Sequence, residues 1–435
     1  MQQLFSASAQ VQAMLDFEAA LASAEATLGI IPAAAADVIA AHCRVEDYDV
    51  DRLALEARGA GTAALPIVQA LTQALPEPTR RWAHFGSTTQ DVVDTGLMLQ
   101  VARGTDLLVE QLTGIGVVAS ALADEHRRSV MPGRGFLRHA LPITFGLKAA
   151  GWTRSAADLV VRLRRLRSEE LCVQLGGASG TLASLHGRGH EVTPLLAQRL
   201  SLRAPLLPWH TVRDQIGIIA GTIGTVGPIM AKIARDIGLM MQNEVDEVFE
   251  STHDRVVSTA LPHKRNPVEA MTAIANAHQT PGLVASLLAG LVQEHERALG
   301  SWQAEAALMA DLFVATSAAA GAVHTSLTHL SVNPEAMRRN VELTGGLAVS
   351  EALVYSLAAP MGKRAAFDLV AELVRTARSH GVSFAEEVAR DDRVMAHLSE
   401  DDLTQVLAPE SYLGSNDEFI DAARRHFEQV CHATT

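Results

Sequence analysis

Between residues 251 and 267 the chain reads S-T-H-D-R-V-V-S-T-A-L-P-H-K-R-N-P. Hydroxyls, two histidines and several cations are packed there between two helical patterns, with Pro262 and Pro267 limiting regular structure. Lys264 and Asn266 can hold a carboxylate, one through a charge-assisted hydrogen bond and the other through an amide donor. Ser258 can move a proton if neighbouring donors stabilise its alkoxide. On local sequence alone the stretch reads equally well as a solvated basic turn, because short motifs match by chance.

Loops like this need a scaffold. The composition is 48% hydrophobic but only 4% aromatic, rich in Ala and Leu, which favours packed helices over sheets. Apolar residues recur every three or four positions, as in Met14, Phe17, Leu21, Ala24 and Leu28, and again in Leu108, Leu112, Ile115 and Val118. The expected class is all-α, in three parts: a helical segment over 1–105, a central long-helix bundle over 106–345, and a small helical domain over 346–435. Loops are expected at His84–Asp91, with Ser87, Thr88 or Thr89 as the N-cap of the next helix, at Met131–Gly135, Gly176–Gly180 and Arg203–Trp209, and around Pro262. The apolar run Ile216–Ala231 is shorter than the roughly 20 residues of a spanning helix and ends at Lys232, so it reads as a buried helix and no membrane contact is expected.

Three blocks give the loop a context. Ser258–Pro267 resembles the signature G-S-S-x-M-P-x-K-x-N-P of the fumarase/aspartase superfamily, matching at Ser258, Pro262, Lys264, Asn266 and Pro267. Val257, Thr259 and Leu261 depart from it. Gly86–Asp91 (G-S-T-T-Q-D) resembles the superfamily's G-A-T-S-x-D block, and Gly133–Lys148 resembles G-R-T-H-x-Q-x-A-x-P-x-T-x-G-x-K, in the same order along the chain. The resemblance implies a small anionic polycarboxylate substrate, no cofactor, and a homotetramer whose active sites are shared between subunits.

In lyases of that superfamily the histidine of G-R-T-H works with a glutamate thirteen residues after the signature serine. Gapless counting puts Phe136 and Met271 at those positions, and Glu269 is two residues out of register. An acid/base pair lost as a unit speaks against protonating a leaving group. An aromatic at the first position resembles the 3-carboxy-cis,cis-muconate cycloisomerase branch, as do Gln174–Leu185, Pro208–Asp214 and Gln293–Glu305. That branch closes a lactone by adding the substrate's own carboxylate to a conjugated double bond, so neither water nor a leaving group needs activation.

The residues expected to act follow from the matched positions. Ser258 and Lys264 are the catalytic candidates, Ser258 as proton donor. Thr88, Thr89, Gln90, Arg138, His139, His263, Asn266, Arg213 and Arg297 are the substrate-binding candidates. Arg138 stands where the superfamily has glutamine, so a fixed guanidinium facing the substrate is expected to favour an extra or altered anionic substituent, such as a sulfonate in place of the 3-carboxylate, with a surface or intersubunit ion pair as the alternative. For Arg213 and Arg297 ion pairing and substrate contact remain equally open. His84 and His210 read as hydrogen-bonded structural histidines, and Trp209 and Trp302 as packing.

Bulk properties exclude other classes. A formal charge of −13 opposes binding a nucleic-acid backbone. Cys43, Cys172 and Cys431 form no C-x-x-C and number too few for a disulfide framework, which fits a reducing cytoplasm, as does an N-terminus without a signal-peptide pattern. G-G-A-S-G lacks a Walker lysine, so no nucleotide site is expected, and no His/Asp/Glu set has metal-ligand spacing. The alternatives to a cycloisomerase are a fumarate-releasing lyase of the adenylosuccinate lyase type and a non-catalytic structural member of the fold.

Overall fold

The computed structural model describes residues 1–251 and 264–432. Helices dominate, as the Ala- and Leu-rich composition requires. The first long helix, α1 (Ala7–Thr27), is capped by Ser6, whose side chain accepts from the Ala9 amide. Its inner face buries Met14, Phe17 and Leu21. After short helices comes α2 (Thr89–Glu125), 37 residues without a break. The chain then makes an antiparallel hairpin, β1 (Val130–Gly135) and β2 (Arg138–Thr144), and enters α3 (Phe145–Glu169), which Thr144 caps through Leu147 N.

The bundle is completed by α4 (Asp214–Met240), the short pair α5 (Val268–Ala277) and α6 (Thr280–Ala289), and α7 (Ser301–Thr328). A two-stranded ladder, β3 (Val248–Glu250) against β4 (Leu330–Val332), closes one end. The C-terminal part begins with α8 (Pro334–Glu342), α9 (Ser350–Met361) and α10 (Lys363–His380). A separate small core, including Leu353, Leu357, Leu373, Phe384 and Val388, holds this part together. The last helix, α11 (Asn416–His432), leaves it and packs on the main bundle, burying Ile420 and Phe427. A Cβ at Gly116 would lie 2.2 Å from the Phe427 ring, so α2 needs glycine where α11 crosses it.

Two features differ from the sequence-based picture. The 105/106 division falls inside α2, whose continuous backbone hydrogen bonding joins the N-terminal segment to the bundle. The helix that holds the buried run Ile216–Ala231 is longer than the run itself: past Lys232, which pairs with Asp236 one turn on, it continues to Met240. By length and composition α2, α4 and α7 could each cross a membrane, yet only 33–56% of their apolar windows is buried within one chain.

Helix direction sorts the motif-bearing blocks into two ends. The N-termini of α2, α4 and α7 meet, joined by Arg213 to Asp94 and Glu305 and by Trp302 to Asp94. The C-terminus of α4 leads to β3, and β4 follows the C-terminus of α7, so the strand ladder sits at the other end. With 27 residues in α4 at about 1.5 Å each, the ends are about 40 Å apart.

Candidate active site

At the first end the capping residues of α2 build the framework. Asp91 is fully buried and receives four donors: Thr88 N at 3.0 Å, Gly176 N at 3.0 Å, Gly177 N at 2.9 Å and His210 Nε2 at 2.7 Å. Four donors on one carboxylate offset its desolvation and pin the Gly176–Gly180 loop to the start of the helix. Thr88 and Thr89 stay half-exposed beside it.

One turn further along, Asp94 is the second anchor. Arg213 donates to it twice, at 2.9 and 3.0 Å, and reaches Glu305 through Nε at 2.8 Å and through a very short Nη2 contact. Trp302 Nε1 adds a bond to Asp94 at 2.8 Å. Burial alone would lower the pKa of Arg213, but the two carboxylates outweigh it and hold it above the ordinary arginine value. Burial raises the Glu305 carboxyl despite Arg213. Of the two roles open to Arg213, the structure places it in ion pairs, with its guanidinium inside the protein.

Gln90 is also buried. Its amide donates to Asp94 at 3.2 Å and to the His210 carbonyl at 2.9 Å, and its oxygen accepts from Arg297 at 3.1 Å. Arg297 further donates to the carbonyls of Gly177 and Ala178. Gln90 and Arg297 thus tie α2 to the glycine loop, while Arg297 remains half-buried at the surface of the cluster. His84 meets Glu18 at 2.7 Å and Ser87 at 2.9 Å through the same Nδ1. Burial would lower its pKa, but the charge and hydrogen bond of Glu18 prevail and raise it.

At the second end the hairpin carries the other block. Its two-residue turn is Phe136–Leu137, both left-handed at φ 53° and 61°. Such turns usually hold Asn-Gly, since a bulky residue is strained there. Both side chains stand in solvent, 103% and 77% exposed. In register, Arg138 faces Gly135 and His139 faces Arg134. Arg138 and His139 line a cavity of about 670 Å³ together with Arg378 and Glu351 of the C-terminal part. His139 Nδ1 is buried with no partner among the described residues, and burial, followed by the charge of Arg134, lowers its pKa.

Lys264 and Asn266 line a second cavity of about 720 Å³ with Gln242, Asn243, Asp246 and Asn333. Arg265 lies over the Phe249 ring, 5.4 Å from its centroid. Ser258 and His263 lie outside the described residues. Met271 is 56% exposed in the first turns of α5. Among the described residues no group of His, Cys, Asp and Glu could hold a metal ion.

Thr88, Thr89, Gln90, Arg213 and Arg297 therefore gather at one end, and Arg138, His139, Lys264 and Asn266 at the other. The buried carboxylates that hold both ends, Asp91 and Asp94 at one and Glu247 and Glu250 at the other, carried no functional reading in the sequence. Asp94 stands three residues after Asp91, on the same helix face, and that spacing is the signal that could have found it.

Residues 1–282 match the family model described as lyase, and residues 346–423 that of the adenylosuccinate lyase C-terminus. The chain is 41% identical to 3-carboxy-cis,cis-muconate cycloisomerase of Bradyrhizobium diazoefficiens over 94% of its own length and 92% of that protein. It is 40% identical to the Pseudomonas aeruginosa protein of the same name, over 97% and 93%. The crystal structure of 3-carboxy-cis,cis-muconate lactonizing enzyme from Pseudomonas putida superimposes with a TM-score of 0.92 at 37% identity, covering 99% of this chain and 97% of that one. Matched along nearly its whole length in both sequence and fold, the chain is an enzyme of the lyase family, within the fumarase/aspartase superfamily.

Proposed function

We propose that this enzyme is a cycloisomerase that closes 3-carboxy-cis,cis-muconate, or an analogue such as 3-sulfomuconate, to a muconolactone in aromatic catabolism. The observation that carries this reading is the pair of apolar residues at the positions of the superfamily's acid/base partners. Phe136 stands exposed at the hairpin tip and Met271 is exposed on α5, and neither can transfer a proton. The relatives named cycloisomerase support the same substrate class.

In this reading one substrate carboxylate oxygen adds to the alkene carbon β to a second carboxyl group. The π pair moves onto the α-carbon and that carboxyl, forming an aci-carboxylate. Lys264, Asn266 and the half-exposed Thr88 and Thr89 stabilise the growing charge. Gln90 acts by holding the loop, since its amide is already bonded. A proton from Ser258 completes the lactone, and solvent reprotonates the alkoxide. Arg138, with His139 beside it, and His263 bind the anionic substituents.

Within one chain of this fold Thr88 and Lys264 lie at opposite ends of the bundle, about 40 Å of helix apart. We therefore infer a homotetramer in which one copy's first end meets the second end of others. The apolar windows of α2, α4 and α7, of which 33–56% is buried within one chain, favour burial against further copies over a membrane. Exposed Ile218, Leu239, Met271 and Leu288 belong to such a face. Free Cys43, Cys172 and Cys431 fit a cytoplasmic enzyme.

A spectrophotometric screen of substituted cis,cis-muconates with product identification tests the activity. Loss of muconate absorbance with lactone formation is expected. Inactivity on every member, with fumarate released from adenylosuccinate or argininosuccinate, would instead establish the lyase reading.

A further inference from the structure

We propose that Glu250 is a positioning residue for Lys264 and Asn266. The helix that follows these two residues, α5, starts after Pro267, which has no side-chain acceptor to cap it. Glu250 supplies the cap from elsewhere in the chain. Its Oε2 accepts from Glu269 N at 3.0 Å and its Oε1 from Ala270 N at 2.9 Å. Ser326 Oγ on α7 donates to Oε1 at 2.7 Å.

Glu250 is itself fixed. It is 7% exposed and pairs in register with Leu330 in the β3–β4 ladder, and the next residue, Ser251, donates to the His329 carbonyl at 2.8 Å. A second link leaves the same strand, since Phe249 lies under the Arg265 guanidinium. The strand therefore grips the segment Lys264–Pro267 at two points, the Arg265 side chain and the first amides of α5. A carboxylate also suits the positive end of the helix.

Glutamine cannot reproduce this. A carboxylate offers acceptors only, whereas an amide would turn an N–H towards one of the three donors. The start of α5 would shift, and Lys264 and Asn266 with it. Displacements of this kind, remote from the reacting atoms, lower rates by up to about 100-fold.

The inference rests on the reading that Lys264 stabilises the transition state, so its test is a double-mutant cycle on the full-length enzyme. Glu250→Gln in the wild-type background should lower kcat about 10- to 100-fold with KM nearly unchanged. In a Lys264→Ala/Asn266→Ala background, assayed at high enzyme concentration, the same change should cost less than about twofold, because both groups it positions are gone. Equal losses in the two backgrounds, or none in the wild type, would overturn the role of Glu250. Full activity of Lys264→Ala would sink the reading of Lys264 itself. If the glutamine variant does not fold, Ser326→Ala, which removes only the hydroxyl on Oε1, is read in the same cycle and by the same criteria.

Discussion

Arg134 holds both oxygens of Glu247, at 2.8 and 2.6 Å, in a two-point clamp whose carboxylate is fully buried. Asn340 on α8 adds a bond to the same carboxylate at 2.9 Å. The stem of the hairpin is thus fastened to the segment that follows α4 and to the C-terminal part. Arg134→Met leaves a buried charge with one amide partner. Its unfolding free energy should fall by about 3–5 kcal/mol, measured by chemical denaturation. Arg134→Lys, which keeps the charge but not the fork, should lose less.

The lysine and asparagine after the signature serine are expected to act on the transition state. Lys264→Ala and Asn266→Ala should each lose about 10²- to 10³-fold in kcat, or roughly 3–4 kcal/mol, with smaller changes in KM. Steady-state kinetics on 3-carboxymuconate reads this directly. A rise in KM with kcat intact would assign the residues to ground-state binding.

Arg138 is the cation whose presence the superfamily pattern does not explain. With His139 held neutral by burial and by Arg134, Arg138 is the hairpin's own charge beside the cavity. Arg138→Gln should reduce kcat/KM for 3-sulfomuconate more than for 3-carboxymuconate, by about 10-fold or more, the scale of one charge-assisted hydrogen bond. An unchanged ratio of the two would rule out a specificity role and leave an ion pair as the explanation.

Shared sites predict complementation. Lys264→Ala and Thr88→Val chains, each strongly impaired alone, should regain activity when unfolded and refolded together. Mixed assemblies then contain some sites with both native ends. No recovery, in mixtures shown by mass measurement to hold both chains, would indicate that each site is built by one chain.

Glu25 on α1 gives the protein a pH dependence of its own. Both carboxyl oxygens are buried with no partner among the described residues, and burial, with a smaller push from Glu18, raises the pKa to about 9. The folded value lies above the unfolded one, near 4.5, so the native state binds more protons between them. Stability from this group is complete below the unfolded pKa and is lost as pH rises towards 9. Glu25→Gln should therefore gain in Tm over wild type as pH rises from 5 to 9, by thermal denaturation across that range. A constant difference would show that the carboxyl does not titrate there.

The helices were legible because apolar residues at Met14, Phe17 and Leu21, or Leu108, Leu112 and Ile115, mark one face, and the structure buries these residues. The hairpin was not. Its turn residues Phe136 and Leu137 carry none of the Asn-Gly chemistry that signals a two-residue turn, and only an interruption at Met131–Gly135 was visible. Arg213 could not be assigned from sequence, since its partners Asp94 and Glu305 lie 119 and 92 residues away. Glu247 and Glu250 sit in D-E-V-F-E, which reads as a charged surface, while the fold buries both. The return of α11 to the bundle was equally hidden, because an amphipathic helix does not state which core it will meet.

The long helices that separate the two ends also act as rulers. In α4 every residue contributes about 1.5 Å of length and 100° of rotation. Losing one residue from its middle would shorten the span only slightly, but would swing the Lys264 end around the axis relative to Arg213. Loops in this protein can absorb insertions; the interiors of α2, α4 and α7 cannot. Chain length between Arg213 and Glu247 is thus a constraint on the catalyst in its own right, independent of which apolar side chains fill the helix.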